Sequence, residues 1–231
     1  FLHLAEAIIA LEEGDYTVWF SGNSGWASEY YENALGLSSA TVFFVEADGV
    51  RSGVDAELGR AGWITGTVSG SGPLPLPSVE GLTVAAVDPA TGDQIGWATT
   101  TASGDYTIEG LPPGTYDVRV DRSLNWLEAW RSGAVVVAET ETPDIDLTLQ
   151  PACKITGYVT PEGGGTFGFD GAVNAYAGVW IDEGDGGGRW EFDWQNPGVV
   201  RLPDGYYEIG GLEPGVQYVV GFYSDGQWAR E

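Results

Sequence analysis

Apolar and polar residues alternate with a period of two along much of the chain, and the alternating runs are short. Tyr106 and Ile108 form one such run, and Tyr116, Val118 and Val120 form the next. This is the pattern of half-buried antiparallel strands. Between the two runs stand a proline, which fixes φ, and a glycine, which accepts a positive φ. The pattern therefore predicts a β-hairpin.

Further short runs of the same kind are separated by turn-forming residues. They are Leu82–Val87, Gln94–Thr100, Ala134–Ala138 and Ile145–Leu149. The 36 glycines and 12 prolines among 231 residues argue against long helices. Short, evenly punctuated strands are typical of a β-sandwich, so we predict an all-β fold.

One motif occurs three times in the chain. Its copies are Leu11-Glu-Glu-Gly14-Asp-Tyr16-Thr-Val18, Leu111-Pro-Pro-Gly114-Thr-Tyr116-Asp-Val118 and Leu212-Glu-Pro-Gly215-Val-Gln-Tyr218-Val219, with glycines 100 and 101 positions apart. A second motif, Ile64-Thr-Gly66-Thr-Val68, recurs as Ile155-Thr-Gly157-Tyr-Val159. A repeat of this kind defines a unit of about 90 to 100 residues and predicts tandem β-sandwiches of immunoglobulin-like type.

The repeat divides the chain into three predicted units. Residues 1–62 contain the second half of a unit, residues 63–150 a complete sandwich, and residues 151–231 a third unit that lacks its last strands. Phe1–Leu11 has good helix formers, but the repeat aligns it with strand residues of the second unit, and we interpret it as a strand.

The second unit resembles a known family. Its segments, in chain order, are Ile64-Thr-Gly-Thr-Val, Leu82-Thr-Val-Ala-Ala-Val and Ala102-Ser-Gly-Asp-Tyr-Thr-Ile-Glu-Gly-Leu-Pro-Pro-Gly-Thr-Tyr-Asp-Val. This order resembles the carboxypeptidase regulatory-like domain, a transthyretin-like sandwich of seven strands, over nearly all of 63–150 and more loosely over 154–223. The resemblance implies an accessory module without an active site, found in tandem in secreted bacterial and archaeal surface proteins and beside catalytic domains.

Collagen-adhesin B-type repeats look similar, and that resemblance implies a Lys–Asn isopeptide bond promoted by an acidic residue. Lys154 is the one lysine of the chain. The strand that would supply the asparagine is absent from the third unit. We therefore expect Lys154 to keep a solvated charge at a strand end.

The incomplete end units leave three interpretations open, since a half-sandwich exposes an apolar face and open strand edges. In the first, the chain is an internal piece of a longer tandem array, as its start at Phe1 without methionine indicates. In the second, half-units complete each other head to tail between chains by strand addition, which would propagate a filament. In the third, residues 1–62 form a small sandwich of their own.

The net charge of −25, from nine Lys and Arg against 34 Asp and Glu, limits the partners. Such a surface repels nucleic acids and anionic membranes, and it suits a secreted, extracellular or cell-surface protein. No apolar stretch is long enough to insert in a membrane. Cys153 has no second cysteine for an internal disulfide, and its redox state stays open.

Residues for catalysis are scarce, and we predict no enzyme and no catalytic residue. His3 is the only histidine and has no nucleophile motif around it. Cys153 is predicted to be a small buried hydrophobe. With 34 acidic residues, some pair of carboxylates will lie at the separation found in glycoside hydrolases by chance. Such a pair therefore does not identify a catalytic site.

Two groups of residues remain as candidate binding sites. Asp182, Glu183 and Asp185 lie on a glycine-rich segment that could supply oxygen ligands to Ca²⁺, although we favour a solvated glycine-rich hairpin loop as the explanation of this pattern. No other cofactor is predicted. The tryptophans beside this segment, whose rings could stack on a sugar, are Trp180, Trp190 and Trp194.

Other aromatic residues recur in register between the first two units, where Trp26 and Tyr30 match Trp126 and Trp130. This recurrence favours a structural role in packing. Together the sequence predicts a non-enzymatic extracellular spacer, stalk or filament subunit. Its partners would be copies of itself, joined head to tail, or flanking domains of the same chain. The alternative is a carbohydrate-binding accessory module that uses exposed tryptophans.

Overall fold

A computed structural model describes residues 11–23, 25–160, 173–182, 188–192, 198–200, 205–224 and 227–229. Of 173–174, 198–200, 223–224 and 227–229 it describes the backbone alone. These residues form β-strands and one 3₁₀ turn, Leu37–Ser39, and the described part of the chain contains no α-helix. The all-β fold class is thereby confirmed. No described helix is long and apolar enough to cross a membrane.

The chain packs as two compact units. The first consists of Phe1–Val68, Thr83–Val120 and Trp130–Leu147, and the second of Ser69–Leu82, Asp121–Ala129 and Thr148–Glu231. This division differs from the three units of the sequence repeat. The repeat boundaries at 62 and 150 stay a prediction.

The N-terminal segment forms two small antiparallel sheets. Its strands are β1 (Gly14–Tyr16), β2 (Trp19–Phe20), β3 (Glu29–Tyr30) and β4 (Phe43–Val45). Strand β1 pairs with β4, and β2 pairs with β3. Most of Phe1–Leu11, predicted as a strand, lies outside the described residues; Leu11 itself is exposed and in no strand.

The middle of the chain forms a sandwich of two sheets. Its strands are β5 (Gly62–Gly70), β6 (Thr83–Val87), β7 (Gln94–Thr99), β8 (Asp105–Leu111), β9 (Gly114–Val120), β10 (Ala129–Val136), β11 (Glu141–Thr142) and β12 (Leu147–Leu149). One sheet has the order β10-β9-β6-β7. The other has the order β11-β5-β12, with β8 also paired to β5. Alternate residues of β8 and β9, such as Ile108 and Val118, are fully buried between the sheets.

The predicted hairpin between the two central runs is wrong. Strand β8 pairs with β5 and strand β9 with β6, so the Pro-Pro-Gly turn carries the chain from one sheet to the other. Tyr116 fixes this crossing, because its hydroxyl donates a hydrogen bond of 2.7 Å to the carbonyl of Pro112. Burial raises the pKa of Tyr116 to about 12, and the nearby Asp88 charge adds to the shift.

The C-terminal strands form one seven-stranded sheet. They are β13 (Cys153–Tyr158), β14 (Val173–Asp182), β15 (Gly188–Phe192), β16 (Gly198–Val200), β17 (Tyr206–Leu212), β18 (Val219–Ser224) and β19 (Gln227–Ala229). The order is β13-β17-β16-β14-β18-β19, with β15 on β14. Its core contains Ala175, Ala177, Tyr207, Ile209 and Leu212.

This sheet repeats the strand pairs of the middle sandwich. Ile155 of β13 lies opposite Ile209 of β17, as Ile64 of β5 lies opposite Ile108 of β8. Both pairs are bulged just before the isoleucine. Strand β14 pairs with β15 and β18 in the way that β6 pairs with β7 and β9. The same strand pairs are therefore built twice, and in the C-terminal sheet β16 joins the two sets by pairing with both β14 and β17.

Candidate functional site

The hairpin of β14 and β15 carries an exposed pair of tryptophans. Trp180 lies directly opposite Trp190, and their ring centroids are 5.3 Å apart with an interplanar angle of 67°. The side chains remain 49% and 39% exposed. Gly188 lies beneath the Trp180 ring, since a Cβ there would be 2.5 Å from Cζ2. The hairpin thus holds both indoles in place on one face.

An edge-to-face pair of this kind offers separate ring faces rather than one flat platform. Each exposed indole face can stack on the apolar face of a single sugar ring. Arg189 and Glu191 alternate with Trp190 along β15, so they point to the opposite face of the hairpin. Their side chains form an exposed ion pair at 4.0 Å. The third candidate, Trp194, lies outside the described residues.

The predicted calcium ligands fall largely beyond what the structure describes. Asp182 ends β14 and is exposed, whereas Glu183 and Asp185 lie outside the described residues. Within the described ranges, no group of three or more His, Cys, Asp or Glu residues could hold a metal ion. The calcium site stays a prediction.

Cys153 is exposed, so the prediction of a buried residue is wrong. The counterpart of Cys153 on β5 is Gly62, which has the same register shift and is buried beside Val137 and Thr140. Among the described residues, Cys153 has no such cover. The Nζ of the adjacent Lys154 lies 2.7 Å from Oε1 of Glu208 in a partly buried ion pair, rather than extending alone into solvent. His3 lies outside the described residues.

Trp126 has a structural position. It is completely buried, and its indole N–H donates a 2.9 Å hydrogen bond to the carbonyl of Ser78. Gly70 makes room for the ring, because a Cβ at this position would lie 2.2 Å from Cη2. Trp130, by contrast, is 48% exposed, with the guanidinium of Arg119 5.2 Å from its ring centre.

A cleft in the first compact unit was not foreseen from the sequence. It has a volume of about 600 Å³, and its walls include Trp26, Arg60, Trp63, Glu109 and Glu139. The Arg60 guanidinium lies 4.0 Å from the centre of the Trp26 ring, and its Nε lies 3.5 Å from Oε1 of Glu139. Arg60 therefore covers the ring face that a ligand would need. No signal in the sequence links Trp26 to Arg60, which is 34 positions away.

Residues 64–150 match the family model described as the carboxypeptidase regulatory-like domain. This confirms the resemblance noted from the sequence for that segment. No match was found among curated proteins.

Several solved structures are similar to the chain. An interface mutant of a type II cohesin–X-dockerin complex from Acetivibrio cellulolyticus shares 18% identity, with 39% of this chain and 58% of that chain covered and a TM-score of 0.31. A putative carbohydrate binding protein from Bacteroides uniformis shares 14% identity over 73% of this chain and 95% of its own, at a TM-score of 0.30. A streptococcal ancillary pilin shares 13%, with 94% and 68% covered and a TM-score of 0.30.

Proposed function

We propose that this chain, whose residues 64–150 belong to the carboxypeptidase regulatory-like family, is a non-catalytic structural module of an extracellular protein. The observation that supports it is the repeated strand arrangement, in which β13 and β17 pair in the register of β5 and β8. Repeated sandwiches in one chain act as a spacer, because each adds length while keeping its own core. The charge of −25 would keep such an array soluble and separate from its neighbours.

The connector between the two arrangements supports a stiff spacer. Residues Gln150-Pro-Ala152 are held to the segment around Trp126 by two backbone hydrogen bonds. Leu127 donates to Gln150 over 3.0 Å, and Ala152 donates to Asn125 over 2.9 Å. Pro151 forms a bridge with Trp126 between them. A connector fixed on both sides of a buried tryptophan cannot swing as a free linker does.

Replacing Gln150-Pro-Ala152 by Gly-Ser-Gly tests the spacer function. Spin labels placed on Glu128 and on β15, both in the second compact unit, should give a narrow distance distribution in the parent chain and a broad one in the variant. The matched control makes the same change at Ala90-Thr-Gly92, an exposed turn between β6 and β7, and should leave the distribution narrow. A broad distribution in the parent chain would contradict the function as a stiff spacer.

The exposed indole pair favours a second candidate, a carbohydrate-binding module. Its surface is Trp180 and Trp190, with Trp194 proposed as a further contact. On a glycan array, changing Trp180 and Trp190 to alanine should abolish any binding that the parent chain shows. Trp97→Ala is the control, since Trp97 is 62% exposed on β7, the counterpart of β15, and faces Ala85 rather than a second indole. Equal losses in both variants would refute the site.

A further inference from the structure

In the middle sandwich, a tyrosine side chain lies over a glycine of the neighbouring strand, and its hydroxyl makes a hydrogen bond with the segment on the other side of that strand. Tyr106 is 3% exposed and lies opposite Gly66 in the ladder of β5 and β8. Its hydroxyl donates a short hydrogen bond to the carbonyl of Ile145. Gly66 is required for this contact, because a Cβ there would be 3.0 Å from the hydroxyl and 2.2 Å from the carbonyl oxygen.

Ile145 belongs to the segment that closes the free edge of β5. Its N–H donates to the carbonyl of Thr65 over 3.1 Å, and the N–H of Thr67 donates to Oδ1 of Asp146 over 2.8 Å. Thr65 and Thr67 therefore present their backbone groups to this edge. The aliphatic side chains of Ile145, Leu147 and Leu149 are buried at alternate positions. Beneath the closed edge, Ile64 and Val68 are 0% and 1% exposed.

The second compact unit contains the same tyrosine and glycine. Tyr207 lies opposite Gly157, and a Cβ on Gly157 would be 2.8 Å from the Tyr207 hydroxyl. Val159 donates to the carbonyl of Gly205 over 2.9 Å, as Val68 does to that of Gly104. The local geometry is therefore that of the middle sandwich.

What differs is the far edge of β13. Among the described strands, β13 pairs with β17 alone, and no described residue accepts a hydrogen bond from the Tyr207 hydroxyl. Ile155 and Val159 are half-buried, whereas their counterparts Ile64 and Val68 are fully buried. No described strand therefore covers on β13 the surface that a strand covers on β5.

We propose that the free edge of β13 is a docking site for an extended peptide strand with aliphatic residues at alternate positions and an acidic residue between the first two. The pattern is that of Ile145-Asp-Leu147-Thr-Leu149, which covers the same surface of the middle sandwich. The first aliphatic residue would accept a hydrogen bond from Tyr207 and donate one to the carbonyl of Thr156. The acidic side chain would accept from the N–H of Tyr158. This inference deepens the proposed structural function by supplying a joint to another polypeptide.

The test uses the full chain and a labelled peptide with the sequence of residues 141–150. Fluorescence anisotropy should show saturable binding, and hydrogen exchange at Thr156 and Tyr158 should slow when the peptide is bound. A peptide with Leu147→Asp should not bind, because it places a charge at a buried position. Free-chain exchange that is already slow at these two amides would overturn the proposal, since the edge would then be covered.

Two variants locate the bound strand. In Thr156→Pro the proline ring replaces an N–H that points away from β17, as that of Thr65 points away from β8. The β13–β17 ladder should therefore persist, while the ring blocks the docked strand and binding is lost. Tyr207→Phe should weaken binding about three- to tenfold, the effect of one lost hydrogen bond. Tyr158→Phe, on the exposed face, should bind as the parent does. Peptide binding that survives Thr156→Pro refutes the docking site.

Sedimentation of the free chain identifies which polypeptide supplies the docked strand. Self-association that the peptide reverses would make a second copy of this chain the source of the strand, and a monomer that binds the peptide would place the source in polypeptide outside residues 1–231. Absence of peptide binding would refute the docking site on β13. The spacer function is tested independently, because the spin-label distances measure the stiffness of the connector and do not depend on the peptide.

Discussion

Replacing Tyr106 with phenylalanine removes one buried hydroxyl and leaves the packing of the ring intact. The hydroxyl bonds the carbonyl of Ile145 inside the first compact unit, where water cannot take its place. Burial, and then the nearby Asp146 charge, raise the pKa of Tyr106 above the ordinary phenol range, so the hydroxyl stays protonated and able to donate.

The expected decrease in the free energy of unfolding is that of one buried hydrogen bond, because the carbonyl of Ile145 loses the Tyr106 hydroxyl and gains no equally good donor. Such a loss destabilises a protein by about 1–2 kcal/mol. This lowers the ratio of folded to unfolded molecules about 5- to 30-fold. Tyr207→Phe is the matched control, since its hydroxyl lies over the same kind of glycine and no described residue accepts from it. We expect a change within about 0.5 kcal/mol.

Native-state hydrogen exchange measures the two effects separately, because it reports on each sheet rather than on the chain as a whole. Tyr106→Phe should accelerate exchange at the amides of β5 and β8. Tyr207→Phe should leave the amides of β13 and β17 unchanged. Equal acceleration in the two variants would refute the reasoning, since it would mean that the Tyr207 hydroxyl is already bonded as Tyr106 is.

Three further results are expected. Gly70→Ala should lower the free energy of unfolding by about 1–3 kcal/mol in thermal or urea denaturation, because its Cβ would overlap the buried Trp126 ring. The side-chain and backbone hydrogen bonds from Ser38 hold the pKa of Asp93 below its ordinary value. This contact therefore stabilises the fold above the ordinary pKa of about 4 and is lost as the pH falls through the lowered one. Exchange at the Ser38 amide should accelerate in acid, and Asp93→Asn should remove that dependence. Near-ultraviolet titration should show Tyr116 ionising at about pH 12; since the folded pKa is raised, the stabilisation is complete below pH 10 and is lost towards pH 12. Tyr116→Phe should remove this step.

The sequence predicted where strands lie better than how they pair. The runs at 82–87 and 94–100 became β6 (Thr83–Val87) and β7 (Gln94–Thr99) with ends displaced by one residue. The two central runs also became strands, but in different sheets. The alternation of apolar and polar residues shows which face of a strand is buried. It does not show the pairing, because the same face is buried whether the next strand is a neighbour in the same sheet or lies across the core. The crossing at Pro112 depends on Tyr116, whose hydrogen bond no periodicity reveals.

The candidate sites show the same limit. Trp180 and Trp190 could be selected from the sequence because they flank a turn, and the hairpin places them opposite each other. The exposure of Cys153 reflects missing cover, since the segment that buries its counterpart Gly62 has no described equivalent beside β13, and the residue pattern around Cys153 does not show this. The contact of Arg60 with Trp26 requires a backbone bridge between distant segments, which a single sequence does not encode locally.

An open strand edge is ordinarily a hazard, because its unpaired backbone groups accept any extended chain. Here the net charge of −25 opposes indiscriminate pairing between copies, and the repulsion extends over about 10 Å at 0.1 M salt. A strand that docks on β13 must overcome this repulsion by burying apolar surface. Each aliphatic side chain that becomes fully buried contributes about 1.5–3 kcal/mol, so three at alternate positions, set over Ile155 and Val159, supply several kcal/mol. A strand with polar residues at those positions supplies none, although it offers the same backbone hydrogen bonds. The charge and the exposed apolar surface together therefore make the edge selective for side-chain pattern. Raising the salt concentration screens the repulsion, so it should weaken that selectivity while it strengthens the binding of the aliphatic strand.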